Sequence, residues 1–257
     1  MLAVTVLAAD SAAAEPCVEG VEVSWVTSDG EQQKLLLEDA ARVAFEHGLP
    51  ARSYKARKGQ RHLSGRWWCA TTGRHVGFES WLERDHVMLL DFDPMVTGIA
   101  AQPFWLSWRN GSGGRTSHAP DFFARRADGS GLVVDCRPVE RRPEADMAKF
   151  GVTEQACARL GWEYRLVGGI DAVMAGNVRW LAGYRHPRHD LGEVGTRLRE
   201  AFAIPRGLME GASAVGDPIA VLPVLFHLLW RQELTAALDR SLGEATRLVT
   251  AGSGVGS

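Results

Sequence analysis

The stretch SHAPDFFARRADGSGLVVDCRP, residues 117–138, carries acids at a spacing that suits metal-assisted chemistry. Asp121 follows a proline, and Asp135 stands two residues before Arg137. Turn signals at 128–131 predict a hairpin between them. If the turn centres on Asp128, residues whose numbers sum to 256 lie opposite each other, and Asp121 and Asp135 meet that condition. Both carboxylates then share one sheet face with Phe123, Val133 and Arg137. Two bare carboxylates at cross-strand distance repel unless one keeps its proton or a cation lies between them. A divalent ion with oxygen ligands is the simplest resolution; the plainer alternative is that the acids only solvate a sheet surface.

A third acid comes from the preceding segment, GFESWLERDHVMLLDF. At 3.6 residues per turn, Phe78, Trp81, Leu82, Asp85, Met88 and Leu89 fall on one side. Glu79, Glu83 and His86 share the opposite side, with Val87 and Leu90 flanking Glu83. That places Glu83 beside a second apolar edge. Three acids and a cation make up what metal-dependent phosphodiester hydrolysis needs: carboxylates for the ion, an acidified water, and a positive group for the developing charge.

Other elements must position these groups. The chain has 257 residues, 46% of them hydrophobic, enough for one large domain or two small ones. The formal charge of −2 means that any nucleic-acid role rests on local patches. Four scattered cysteines, Cys17, Cys69, Cys136 and Cys157, form no CxxC pair, which fits a reducing cytoplasm better than a disulfide framework or zinc ribbon. No apolar run is long enough for a membrane span, and the Ala-rich opening lacks the basic start of a signal peptide. A strand is expected at 21–26, helices at 34–47 and 78–91, and a strand-like run at 96–108. After the hairpin come a helix at 144–160 and a strand in WEYRLVG, so a crossover should pair the last strands in parallel. From 171 onward the pattern is helical, at 172–183, 190–203 and 217–231, with a joint between Gly207 and Gly216. The expected fold class is α/β, a mixed central sheet flanked by helices. The expected division is a basic N-terminal extension (1–75), a core (76–170), a helical C-terminal region for partner or DNA binding (171–250) and a disordered tail (251–257).

With helix acid, PD and D-x-R in this order, the chain resembles the restriction-endonuclease-like PD-(D/E)XK nuclease superfamily. Within it, the run ESWLERDHVMLLDFDPMVTGIAAQP through HAPDFFARRADGSGLVVDCRP resembles the TnsA endonuclease subunits of heteromeric transposases. DPIAVLPVLFHLLWRQEL is similar to their helical C-terminal part. The resemblance implies a Mg²⁺- or Mn²⁺-dependent endonuclease that cuts 5′ strands of double-stranded DNA at transposon ends. It also implies a DDE-type (TnsB-like) transposase partner, a AAA+ ATPase (TnsC-like) regulator and a bacterial cytoplasmic setting. Carried over residue by residue, Glu83 matches the helix acid, with Glu79 as its alternate one turn away. Asp121 matches the central metal-binding aspartate, Asp135 opens the third motif, and the backbone carbonyl of Cys136 is a further ligand. Arg137 stands where the family pattern has lysine. Arginine stays protonated and cannot be a general base, but it binds phosphate bidentately. Three accounts stay open: Arg137 replaces the lysine electrostatically, Lys149 reaches back from the next helix, or the centre is weakened and keeps an architectural role. A stand-alone restriction or repair nuclease is a further alternative.

Residues 48–78 hold seven cations, Arg52, Lys55, Arg57, Lys58, Arg61, Arg66 and Arg74, with no acid and with Tyr54, Trp67 and Trp68 among them. That composition fits a DNA footprint, and Arg125, expected on the carboxylate face, fits a phosphate contact. Trp105 and Trp108 at strand spacing suit the core. His118 is placed to hydrogen-bond near the site, and His227 belongs to a core or interface. Arg179, Arg185, His186, Arg188 and His189 make a second basic patch, too poor in acid or cysteine for zinc.

Overall fold

The computed structural model describes residues 20–52, 64–111, 113–141 and 143–252, which form two compact units. Among the described residues, no single helix is long and apolar enough to cross a membrane. The Ala-rich opening, Cys17, Tyr54, Lys55, Arg57, Lys58, Arg61 and the end of the C-terminal tail lie outside the described residues.

The first unit runs to Gly169, apart from residues 92–94. It begins with β1 (Glu22–Val26) and β2 (Gln32–Leu36), an antiparallel pair. Where a helix was expected over 34–47, the chain forms β2 and two short 3-10 turns, Leu37–Arg42 and Phe45–His47. Cross-strand pairing to β1 outweighs the helical preference of this Leu- and Ala-rich stretch. The hairpin β3 (Gly65–Cys69) and β4 (Arg74–Phe78) precedes α1 (Trp81–Phe92). Then come β5 (Val96–Ala101), β6 (Trp105–Arg109), β7 (Arg115–His118), β8 (Phe122–Arg126), β9 (Gly131–Cys136), α2 (Glu144–Arg159) and β10 (Glu163–Val167).

These strands make two four-stranded sheets, β2-β1-β6-β7 and β10-β9-β8-β5. The second is mixed: β9 pairs antiparallel with β8 and parallel with β10, as hairpin and crossover require. The protein is thus α/β with a mixed sheet. The run 96–108 is not one strand, because the chain leaves the mixed sheet after β5 and enters the other at β6. Pro103, with no N–H to donate, and Gln102, at a φ of 48°, make that break. The returning chain crosses back between β7 and β8, over Ala119-Pro120-Asp121. The N-terminal segment is not an appendage, since β1 lies between β2 and β6.

The mixed sheet is covered on both faces, so every residue of β9 is buried. One face packs Phe123 and Val133 against Phe45, Phe104 and Trp162, with ring centroids 4.7–6.4 Å apart. Gly131 admits this packing, because a Cβ there would lie 2.8 Å from the Trp162 ring. The other face packs Phe122, Ala124, Leu132, Val134 and Cys136 with Val87 and Leu90 of α1 and Val76 and Phe78 of β4. Fully burying each of these large side chains is worth about 1.5–3 kcal/mol.

The second unit holds residues 92–94 and 170–252. Asp171 caps α3 (Ala172–Ala182) and Asp217 caps α6 (Pro218–Trp230) through their backbone amides. Between them lie α4 (Gly192–Ala201), β11 (Arg206–Gly207) and α5 (Leu208–Val215). The expected joint at 207–216 is therefore a helix, bent 120° from α6. After α6, β12 (Leu234–Thr235) and β13 (Arg247–Thr250) complete a three-stranded sheet with β11. This region is helical with a small sheet, rather than helical throughout.

Candidate functional site

The hairpin register follows the sum rule: Phe122 faces Val134 and Phe123 faces Val133. One step further brings Asp121 opposite Asp135 at the strand ends. The Cys136 amide donates to Asp121 Oδ2 at 2.8 Å, which ties the two strands there. Asp121 sits where the chain has just crossed between sheets, and its own carbonyl accepts from the Gln102 amide at 2.8 Å. Burial holds the Asp121 carboxyl well above the usual carboxylate range, and the charges of Asp135 and then Glu83 push it further. The Cys136 amide and the Arg137 guanidinium pull the other way. Asp121, Asp135, Glu83 and Arg137 thus share one electrostatic neighbourhood.

Glu83 reaches it from α1, on the side flanked by Val87 and Leu90, as expected. Trp81 is 53% exposed, whereas His86, Val87 and Leu90 are buried. The edge expected to be secondary is the core face, so Glu83 lies on the buried side of the helix start. It also closes the helix N-terminus. Ser80 Oγ accepts from the Glu83 amide at 3.1 Å and donates to Glu83 Oε1 at 2.9 Å, and the Glu79 amide donates to Oε2 at 2.7 Å. This is a variant of the S-x-x-E capping box, legible in residues 80–83. Burial raises the Glu83 carboxyl and the Glu79 charge adds to it, against these hydrogen bonds and Arg52.

Asp135 behaves differently. It is 2% exposed, and both its oxygens lie within hydrogen-bond reach of His118 Nε2, at 3.0 and 2.9 Å. Tyr164 of β10 donates its hydroxyl to Oδ2 at 2.8 Å. The His118 ring stands edge-on to Phe150 of α2, 5.5 Å between centroids. Asp135 points to the face of Phe123 and Val133, as alternation demands, while Glu83 comes from the helix on the other face. The expected three-carboxylate set is therefore divided: Asp135 is committed to His118 and Tyr164. Among the described residues, no three of His, Cys, Asp and Glu form a group able to hold a metal ion. Glu83 Oε1 and Oε2 accept from Ser80 and the Glu79 amide, and Asp121 Oδ2 from the Cys136 amide; both carboxylates are hard oxygen groups of the kind Mg²⁺ or Mn²⁺ takes.

The remaining expectations divide as well. Arg137 is exposed, at the end of β9, with its amide bonded to the Val167 carbonyl at 2.8 Å. Lys149 pairs with Asp146 at 3.2 Å on its own helix. Arg52 is ion-paired with Glu79. Arg125 is paired with Glu46 at 3.2 Å, donates to the Val43 and Gly129 carbonyls at 2.8 and 3.0 Å, and stacks over Phe123 at 4.8 Å. It shares Phe123's face as expected, yet its guanidinium serves the fold in place of the expected phosphate contact. A partly buried cation needs such partners. Arg66 and Arg74 are exposed on β3 and β4, and Arg74 donates to the Glu46 carbonyl at 3.0 Å.

Gln102 escaped the sequence reading. It is 2% exposed, holds a left-handed φ, bonds the Asp121 carbonyl through its amide and donates Nε2 to Glu79 Oε2 at 3.1 Å. Its Oε1 is buried without a donor. Such a conformation costs a non-glycine residue about 1–2 kcal/mol and persists only where the surroundings enforce it. The A-Q-P break was the available signal. Gln102→Leu is expected to destabilise the chain by about 1–3 kcal/mol through the unpaired Glu79 contact, measured by urea unfolding. No family model matches this chain, and no curated protein matches it.

Proposed function

We propose that the first unit is a metal-dependent DNA endonuclease core of the PD-(D/E)XK kind, in a TnsA-like transposase subunit that cuts 5′ strands at transposon ends. The observation that carries this reading is Asp121. A half-buried carboxyl is set beside two further acids, with an arginine at its edge, at a crossing between two sheets. Such an arrangement is costly for folding alone and useful for holding a divalent cation. Asp121, Glu83 and the Cys136 carbonyl hold the ion, which when bound supplies charge neutralisation and an acidified water. Arg137 takes a phosphate oxygen bidentately and offsets charge at the departing oxygen. Asp135, through His118 and Tyr164, keeps β9 seated so that Cys136 and Arg137 face the site. Exposed Arg66 and Arg74, with the cations of 55–61, contact the DNA backbone. A DDE-type transposase and a AAA+ ATPase complete the assembly in the bacterial cytoplasm.

The test is nicking of labelled transposon-end DNA by the reconstituted complex in Mg²⁺ or Mn²⁺, comparing wild type with Asp121→Ala. Equal 5′-strand nicking by both would sink the assignment. A second reading is favoured by the commitment of Asp135 and by arginine at the motif lysine: a DNA-end-binding assembly subunit whose centre is weakened. Arg137 separates the two. On the nuclease reading, Arg137→Ala loses roughly 10²–10³-fold in nicking rate, and Arg137→Lys keeps most of it. On the assembly reading, neither variant changes the products.

A further inference from the structure

The second unit carries a feature that the nuclease chemistry does not use. From Ala172 to His189 the chain contains Arg179, Arg185 and Arg188, two histidines and no acid. Within this run Trp180 is 56% exposed, although its ring is braced. It stands edge-on to Phe226 of α6 at 5.9 Å and 6.0 Å from Tyr184. Tyr184 in turn packs on Phe226 at 4.9 Å and on His189 at 5.5 Å, and Arg188 Nε approaches His189 Nε2 at 3.2 Å. Partial burial and then the charge of Arg188 hold His189 below its usual range, a local sign of positive potential.

Of the three arginines, Arg185 donates to the Ala182 carbonyl at 2.6 Å. An exposed indole braced by Phe226 and Tyr184, in a segment that carries these arginines, has two complementary parts. The cations attract phosphates, and the flat ring offers a stacking surface that a base reaches only when it is unpaired. A duplex backbone would use the cations and leave Trp180 idle, whereas an acidic peptide would not need a rigid aromatic face. We propose that the surface formed by Arg179 and Trp180 of α3, with Arg185 and Arg188 just beyond its end, binds single-stranded nucleic acid, stacking an unpaired base on Trp180. This binding needs neither the carboxylates of the first unit nor a metal ion, so it stands or falls apart from the nuclease reading.

The experiment uses the full chain in EDTA, which removes metal-dependent cutting from the readout. Anisotropy of a fluorescein-labelled 20-nucleotide oligothymidylate is followed across a salt series, with a labelled duplex alongside. Trp180→Ala is expected to weaken oligothymidylate binding about tenfold, and Trp180→Phe to retain most of it. The pair Arg179→Gln and Arg188→Gln should lower the salt slope by about 0.7 per arginine. Circular dichroism identifies a variant that has failed to fold, in which case Trp180→Phe and the arginine pair carry the decision. Binding unchanged in both the Trp180 and arginine variants overturns the proposal. So does a wild type that binds only the duplex, or no DNA at all; the face then serves a different class of partner.

Discussion

Asp121→Asn is expected to abolish metal-dependent cleavage and at the same time make the protein more stable once pH rises through the raised Asp121 value. On the proposed nuclease reading, loss of this carboxylate removes several kcal/mol of transition-state charge stabilisation, roughly a 10³-fold or larger drop in rate. The stability gain has a separate cause. Burial and the charges of Asp135 and Glu83 raise the Asp121 carboxyl in the folded chain. A folded state that binds this proton more tightly than the unfolded chain is stabilised at low pH, and the benefit is lost as pH rises through the raised folded value. Above that raised value the wild type carries an unfavourable charge that asparagine lacks. A gain of about 1 kcal/mol shifts the melting midpoint by roughly 2–4 °C in a chain of this size. Thermal melts of both proteins from pH 4 to 8 should show the curves converging toward the acidic end and separating as pH rises. Adding Mn²⁺ should raise the wild-type midpoint and leave the variant's unchanged. Parallel curves across that range would show that Asp121 is not the strained acid described above.

The second large effect is expected on folding. His118→Ala removes the ring that meets both Asp135 oxygens and leaves a 2% exposed carboxylate with Tyr164 alone. Leaving a buried carboxylate without such a partner costs about 3–5 kcal/mol, a large share of the stability of any domain. Tyr164→Phe should cost less, about 1.5–3 kcal/mol, the worth of one hydrogen bond to a charged group. In an Asp135→Asn background the His118→Ala penalty should shrink by 1 kcal/mol or more, because the charge that needed the partner is gone. Urea unfolding of the four proteins closes the cycle. Additive losses would mean that His118 acts through its packing on Phe150 and not through Asp135.

The sequence by itself determined the local geometry of the hairpin. Turn chemistry at 128–131 and period-two alternation set the pairing of β8 with β9, Phe122 facing Val134 and Phe123 facing Val133. The helix of residues 144–159 and the strand after it were legible for the same reason. Both are local patterns, and the crossover rule then leaves one way to pair the last strand.

Only the tertiary structure decided where the acids go. Asp135 meets His118 from β7 and Tyr164 from β10, partners 17 and 29 residues away that no spacing rule connects. Trp81, expected on the core side of α1, is exposed, while Val87 and Leu90 pack with the mixed sheet. The 34–47 stretch has helical composition, yet pairing with β1 forms a strand there. Arg52 and Arg125, expected as DNA contacts from the basic, aromatic run and from the shared carboxylate face, are ion-paired with Glu79 and Glu46, acids distant in sequence. Gln102 shows the limit most clearly. Its neighbours in sequence announce only a break, and its proximity to Asp121 exists because two strands cross between sheets at the same place. Backbone patterns with short period can be read along the chain, whereas the partner of a buried charge is chosen by packing across it.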